Sequence, residues 1–187
     1  MDTVSFTRMD QGTVEDYALI ARLEDEHKQA NDLADSLLGL LTSMKGPTFG
    51  FQVDRYEHSL QTATRSLRDE ADEDTVVAAL LHDIGDVYAP DNHSEFAAAV
   101  LRPYVSEEAY WVVKHHGLFQ GYYFYHFVGR DRDAREQFRG QPHFQACVEF
   151  CEHWDQRAFD PDYDTLPLAT FEPLVRRVLA RTPHFAD

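Results

Sequence analysis

The stretch that decides the fold is Val76-Val77-Ala78-Ala79-Leu80-Leu81-His82-Asp83. Its apolar residues carry no charge, so we expect them to be buried rather than to form a solvated helix face. The stretch ends on an imidazole beside a carboxylate, His82 and Asp83. A buried carboxylate without a partner is strongly disfavoured or takes up a proton, and a bound cation removes that penalty. The sequence therefore predicts a metal site at the end of a buried helix.

Length and charge narrow the class of protein. A chain of 187 residues with a formal net charge of -16 predicts a single acidic domain over 1–187, large enough to bury a core. An acidic surface argues against nucleic acid as a partner. No apolar run approaches the roughly 18 residues of a membrane span, so we expect no membrane partner and a cytoplasmic location. Composition carries no signal for the oligomeric state.

Helical spacing of apolar residues predicts an all-α fold. We expect an N-terminal helix over 13–43, a metal-binding helical core over 54–158 and a C-terminal helix over 167–181. Within the core the predicted helices cover 54–70, 72–85, 92–101, 107–117, 131–138 and 142–158. Asn92 and Glu95 have the spacing of a capping box, Ser106 is placed to cap the next helix, and the aromatic stretch 121–127 is predicted to be an irregular or helical wall. Cys147 and Cys151, four residues apart, suit core packing with reduced thiols.

Further metal-ligating candidates lie on other predicted helices. His58 precedes His82 by 24 residues, so neighbouring helices can bring the two imidazoles together. On an ideal helix His82 and Asp83 diverge by about 100°, so they would flank a site, while the two oxygens of Asp83 can serve two metals. The remaining candidates are His93, the pair His115-His116, and Asp155. A histidine and carboxylate set favours iron, manganese or zinc over calcium, although a single histidine on a helix is more often an ordinary surface residue.

The ordered series His58, His82-Asp83, a later histidine and a late aspartate resembles the HD-domain superfamily. That superfamily joins metal-dependent phosphohydrolases with a group of di-iron oxygenases, and the resemblance spans about 48–164. The segment His58-Ser59-Leu60-Gln61-Thr62-Ala63 is similar to the His-x-x-Gln-Thr-Ala segment of myo-inositol oxygenase and of the hydroxyphosphonate oxygenases. His93-Ser94-Glu95 resembles their fourth ligand segment. The resemblance implies an HD-domain helical bundle.

Carried over residue by residue, the resemblance implies two iron ions in the Fe²⁺/Fe³⁺ state. The ligands implied for the first iron are His58, His82, Asp83 and Asp155, and those for the second are Asp83, His93 and His116. His116 is preferred to His115 because the segment Val112–His116 aligns best in that register. Gln61, three residues after His58 on the same helix face, is implied to support the ligands from behind.

The resemblance is closest to the oxygenases that cleave the carbon-phosphorus bond of 1-hydroxy-2-aminoethylphosphonates. The relative that acts on the primary amine has a Tyr and a Glu in the loop before its first ligand, where this chain has Thr48 and Phe51. A quaternary ammonium has no N–H and prefers aromatic faces, which Phe49 and Phe51 would supply. Asp86 replaces a Lys or His of the relatives and suits a cationic substrate.

The phosphonate contact of the relatives is not preserved. Their phosphonate-binding lysine corresponds here to Gln120, which leaves Arg130, Arg135 or Arg157 as candidate replacements. The leading hypothesis is oxidation of (R)-1-hydroxy-2-(trimethylammonio)ethylphosphonate by O₂ to glycine betaine and phosphate. Alternatives are a metal-dependent phosphohydrolase, a di-iron oxygenase of another hydroxyphosphonate or of a polyol, and a binding module with a structural metal.

Overall fold

The computed structural model describes residues 2–30 and 33–184, and these residues contain no strand. This confirms the predicted all-α class. The chain divides into two compact units, Met1–Ser36 and Leu37–Asp187. None of the helices in the described ranges combines the length and hydropathy that a membrane crossing requires.

The first unit contains a short 3₁₀ turn, Met9–Gln11, and helix α1, Val14–Ala30. Thr13 and Asp16 exchange hydrogen bonds at the start of α1, which satisfies free backbone N–H groups of its first turn. Helix α2 covers Leu33–Ser43. The predicted helix over 13–43 thus corresponds to α1 and α2, and residues 31–32 between them lie outside the described residues.

The second unit begins within α2, at Leu37, and contains all the remaining helices. They are α3 Arg55–Arg68, α4 Glu73–Leu81, α5 His93–Leu101, α6 Glu107–Phe124, α7 Phe144–Glu149 and α8 Leu168–Leu179. Asp54, Asp72 and Ser106 cap the starts of α3, α4 and α6 with side-chain oxygens that accept backbone N–H groups. Asn92 makes no such bond at the start of α5, contrary to the predicted capping box.

Helix α4 lies at the centre of the second unit. It packs against α3, α6 and α8, and every residue from Val76 to Leu81 is buried. Burial of a large aliphatic side chain such as Leu80 or Leu81 stabilises the fold by roughly 1.5–3 kcal/mol. Residues 76–81 are therefore part of a core helix, as predicted, and His82 and Asp83 follow its end.

Three predicted boundaries differ from the structure. Helix α4 ends at Leu81, and the chain continues in tight turns in which Ile84 N–H donates to Leu81 O and Asp86 N–H donates to Asp83 O. Helix α6 runs on through Gly117 to Phe124. The predicted helix over 142–158 is instead α7, a π-helical turn Phe150–Trp154 and a 3₁₀ turn Asp155–Arg157. A π turn holds one more residue than an α turn, so it changes the direction of every side chain that follows it.

Candidate metal centre

Six histidine and aspartate side chains from separate elements converge beside α4. They are His58 of α3, His82 and Asp83 of the turns after α4, His93 at the start of α5, His116 of α6, and Asp155 directly after the π-helical turn. All except His93 are buried, and the side chain of His93 is 25% exposed. The structure therefore brings together all six residues that the sequence singled out as metal ligands.

The four imidazoles share one orientation. Each ring directs Nδ1 at a backbone carbonyl: His58 at Ala158 (3.0 Å), His82 at Ala79 (2.8 Å), His93 at Pro90 (3.3 Å) and His116 at Val113 (2.7 Å). A carbonyl oxygen only accepts, so Nδ1 carries the hydrogen, and in a neutral ring the lone pair lies on Nε2. Metal-binding histidines are fixed in this way by their outer hydrogen bond.

Two of the ring nitrogens face each other. His58 Nε2 and His82 Nε2 lie 3.2 Å apart. With both hydrogens on Nδ1, these two nitrogens face each other as lone pairs, an arrangement that is repulsive unless a proton or a metal ion interacts with them. The geometry thus fits a metal bound between the rings.

Asp83 lies between two pairs of histidines. Its Oδ1 is 3.2 Å from His116 Nε2 and 3.4 Å from His93 Nε2. Its Oδ2 is 3.4 Å from His58 Nε2 and 3.5 Å from His82 Nε2. Because each carboxylate oxygen faces a different pair, Asp83 is placed to bridge two metal ions. The backbone of His82 keeps α-helical angles, so His82 and Asp83 leave the chain in different directions, and only the ends of their side chains approach each other.

Asp155 completes one side of the cluster. Its Oδ1 is 3.3 Å from His58 Nε2 and 3.8 Å from His82 Nε2, and it accepts a hydrogen bond of 3.0 Å from Gln120 Nε2. Its Oδ2 is buried and has no hydrogen-bond partner. An unsatisfied buried carboxylate oxygen is costly, and coordination of a metal removes that cost.

The pKa shifts of His82, Asp83 and Asp155 suit metal binding. That of His116 has the opposite sign to that of His82, because burial acts to lower its pKa but its contact with Asp83 outweighs burial and raises it, so a metal would have to displace a proton there. Burial lowers the pKa of His82 to about 4, so this ring is neutral at physiological pH. Burial acts to raise the pKa of Asp83, but the nearby rings of His82 and His116 outweigh it and hold that pKa well below its usual range. Burial opposes ionisation of Asp155 too, but its contact with His58 leaves the pKa lowered. Neutral imidazoles and ionised carboxylates are the forms that coordinate metals.

Two overlapping groups of ligand atoms meet the distance requirements of metal sites. In His58, His82 and Asp155, and again in His82, Asp83 and His116, the ligand atoms lie within 4.8 Å of one another. Buried clusters that share His82 and adjoin through Asp83 fit a dinuclear site. The nitrogen and oxygen donors suit iron, manganese or zinc.

A cavity of about 430 Å³ opens onto the cluster. His58, Asp83, His93, His116 and Asp155 contribute to its wall, so both halves of the cluster face it. The other lining residues are Phe51, Arg55, Gly117, Gln120, Tyr123, Phe124, Gln156 and Phe159. The cavity therefore combines ligand atoms with aromatic walls and few charges.

The residues predicted to contact substrate fall into two groups. Phe51 and Gln120 line the cavity. The other predicted contacts lie outside the lining. Phe49, which is 78% exposed, and Arg157 face solvent. Arg130 stacks on Tyr125 with its guanidinium carbon 3.9 Å from the ring centre, and Asp86 contacts Arg55 at 2.7 Å. Arg135 stacks on Tyr122 at 3.7 Å and likewise lies outside the lining.

Gln61 helps to hold His58 in place. Gln61 donates to Asp160 O (2.7 Å) and accepts from Asp160 N (3.2 Å), which fixes the segment whose Ala158 carbonyl orients His58. Both ends of its side-chain amide are used in this way. Gln61 therefore supports a ligand from behind.

Arg55 is the charged residue of the cavity wall that the sequence did not single out. It begins α3, three residues before His58, and so lies on the same helix face. Helical spacing from the first histidine would have identified it. On a helix surface, however, arginine is ordinarily solvated, so the spacing alone did not separate it from other arginines.

Close packing around His93 depends on two glycines. A Cβ atom at Gly85 would lie 2.8 Å from the carbonyl oxygen of His93 and 2.9 Å from its Cα. A Cβ atom at Gly117 would lie 2.9 Å from Ser94 Oγ and 3.6 Å from His93 Nε2. The lack of a side chain at both positions lets α5 approach the cluster.

Comparison with protein families gives one match. The family model described as HD domain matches residues 55–153, just over half of the chain. The matched range contains His58, His82, Asp83, His93 and His116 and ends shortly before Asp155. No curated protein matches the chain.

Proposed function

This chain belongs to the HD-domain family, and from that premise we propose that it is a di-iron oxygenase of a small hydroxyphosphonate. The buried histidine and aspartate clusters mark it as a metal-dependent HD-domain enzyme. Two metal ions are supported by Asp83, whose two oxygens face two different pairs of histidines. The choice of an oxygenase rests on the resemblance of residues 58–63 to the oxygenase segment.

In this proposal the ligands divide as the distances suggest. His58, His82 and Asp155 would hold one iron, His93 and His116 would hold the other, and Asp83 would contribute one oxygen to each. The second set has fewer protein ligands, and its His93 and His116 line the cavity, where substrate oxygens could complete the coordination. When bound, iron supplies the Lewis acidity and the redox chemistry with dioxygen that side chains lack.

The proposed reaction uses dioxygen as its co-substrate and needs no further reactant. (R)-1-hydroxy-2-(trimethylammonio)ethylphosphonate and one O₂ give glycine betaine and inorganic phosphate. The hydrogen on C1 is removed, the C1–P bond breaks, C1 becomes a carboxylate carbon, and the phosphorus gains an oxygen. All atoms of both reactants appear in the two products.

The aromatic wall of the cavity suits a substrate that carries a quaternary ammonium group. Phe51 stacks on Phe159 with ring centres 4.9 Å apart, and Phe124 also lines the cavity. A trimethylammonium group has no N–H to donate, so ring faces serve it better than a carboxylate would. Phe51 occupies the position where the relative that acts on a primary amine has a Glu.

Gln120 is suited to orient the substrate. Its amide nitrogen is fixed on Asp155, while its Oε1 is buried without a hydrogen-bond partner. An unpartnered acceptor in the cavity wall can accept a hydrogen bond from the substrate hydroxyl. This role would replace the lysine of the relatives by a neutral residue.

The test is phosphate release from the trimethylammonio substrate by the iron-loaded protein, with and without dioxygen. We expect release only with dioxygen, together with one glycine betaine per phosphate. His58→Ala, which removes a proposed ligand, serves as the inactive control. Release of phosphate under anaerobic conditions would reject the oxygenase and favour a metal-dependent phosphohydrolase.

A further inference from the structure

The cavity poses an electrostatic problem for an anionic substrate. The chain has a net charge of -16, and two carboxylates, Asp83 and Asp155, contribute to the cavity wall. Among the described residues that line the cavity, Arg55 is the one lysine or arginine. Any fixed cationic contact to a substrate within the cavity therefore has to come from Arg55.

Arg55 is held in place on several sides. Its Nε forms a close ion pair with Asp86 Oδ2 at 2.7 Å, although the angle of this contact does not make a hydrogen bond. Its guanidinium carbon lies 4.8 Å from the ring centre of Phe51 and 5.9 Å from that of Phe159. Its side chain is 24% exposed. An arginine confined by an ion pair and by aromatic rings loses little further freedom when it binds a ligand.

The outer edge of the guanidinium is still available. Nη1 is 4.0 Å from Asp83 Oδ2, beyond hydrogen-bond distance, and no described residue accepts a hydrogen bond from Nη1 or Nη2. An arginine that served only to neutralise Asp83 would be expected to bond to it directly. Instead the free edge lies next to the proposed bridging carboxylate, within the cavity wall.

We propose that Arg55 binds the phosphonate group of the substrate through its two Nη atoms, while its ion pair with Asp86 positions the guanidinium. This inference rests on the proposed function for the identity of the substrate. The guanidinium fork matches two oxygens of a tetrahedral oxyanion, which a single ammonium group cannot do. Asp86, predicted from the sequence to face the substrate cation, then acts on the anionic end of the substrate by holding Arg55.

Binding of inorganic phosphate to the metal-loaded protein tests this without turnover. We expect Arg55→Gln to weaken phosphate binding by at least about tenfold, and Arg55→Lys to fall between Arg55→Gln and the native protein because it keeps the charge but loses the fork. The matched control is Arg157→Gln, which changes an exposed arginine outside the cavity lining and should bind phosphate normally. Metal content is measured on every variant and should stay unchanged.

Asp86→Asn tests the positioning role. It should weaken phosphate binding in the native background and have no added effect in the Arg55→Gln background, because the two residues act as a unit. An equal loss of phosphate affinity from Asp86→Asn in both backgrounds would reject the positioning role.

Two results would overturn the proposal for Arg55. One is native phosphate affinity in Arg55→Gln with full metal content. The other is loss of metal from both Arg55→Gln and Arg55→Lys, which would make Arg55 a support of the cluster. Failure of the proposed function would look different: the native protein would bind phosphate but release none from the hydroxyphosphonate in the presence of dioxygen.

Discussion

Replacement of Gly85 by alanine should remove one metal ion and leave the other. The added Cβ atom would lie 2.8 Å from the carbonyl oxygen of His93, whereas an ordinary contact begins at 3.4 Å, so α5 must move by about 0.6 Å. Both nearest atoms belong to the backbone of His93, so no side-chain rotation relieves the contact. The backbone of Gly85 does not have a positive φ, so the effect comes from the contact alone.

A shift of this size exceeds what coordination tolerates, since ligand distances are held within about 0.2 Å. His93 is a proposed ligand of one ion only, and the other ion keeps His58, His82 and Asp155. Overpacking should also lower the free energy of unfolding by about 1–3 kcal/mol. We therefore expect about one metal per chain and a melting temperature lower by a few degrees.

The assay is elemental analysis of metal per chain after desalting, combined with thermal unfolding. Gly140→Ala is the matched control, because a Cβ atom there meets nothing within 4 Å. Two tightly bound metals in Gly85→Ala, or an equal loss in Gly140→Ala, would refute the argument that close approach of α5 builds the second metal position.

Three other outcomes follow from the same geometry. His116→Ala should lose metal while His115→Ala retains it, because His115 packs on Trp111 and Phe138 with ring centres 4.3 Å and 4.6 Å away. Equal metal loss in the two variants would contradict the assignment of His116 as a ligand. Phe51→Glu should shift kcat/KM from the trimethylammonio substrate toward the primary amine, and an unchanged ratio would count against the aromatic contact. Chelation should lower the melting temperature by about 5–11 °C relative to protein with free metal at a hundred times Kd, and identical melting curves would exclude a buried metal that stabilises the fold.

The sequence was sufficient to predict that His58, His82 and Asp83 lie together at the end of a buried helix. The charge-free run before His82 predicts a core helix, and His58 lies one helix earlier, so two packed helices bring the rings together. These predictions depend on local periodicity and on the cost of burying a carboxylate, both of which can be read from residue order. The position of Asp83 between two histidine pairs depends on how α3, α5 and α6 pack around it, and apolar periodicity does not fix that packing.

Other features depend on tertiary packing. The π-helical turn at Phe150–Trp154 sets the direction of Asp155, and no residue pattern distinguishes it from a continuous helix. The same holds for the substrate contacts. Phe49 and Phe51 are the same residue type two positions apart, so the sequence does not distinguish their roles. Only Phe51 lines the cavity, because the chain turns between them at Gly50, which has a positive φ of 93°.

The bridging role proposed for Asp83 can be tested with an anomalous-scattering map of crystals grown with iron. We expect two peaks on opposite sides of the Asp83 carboxylate. One should be contacted by His58, His82 and Asp155, and the other by His93 and His116. A single peak, or two peaks of which Asp83 touches only one, would contradict it.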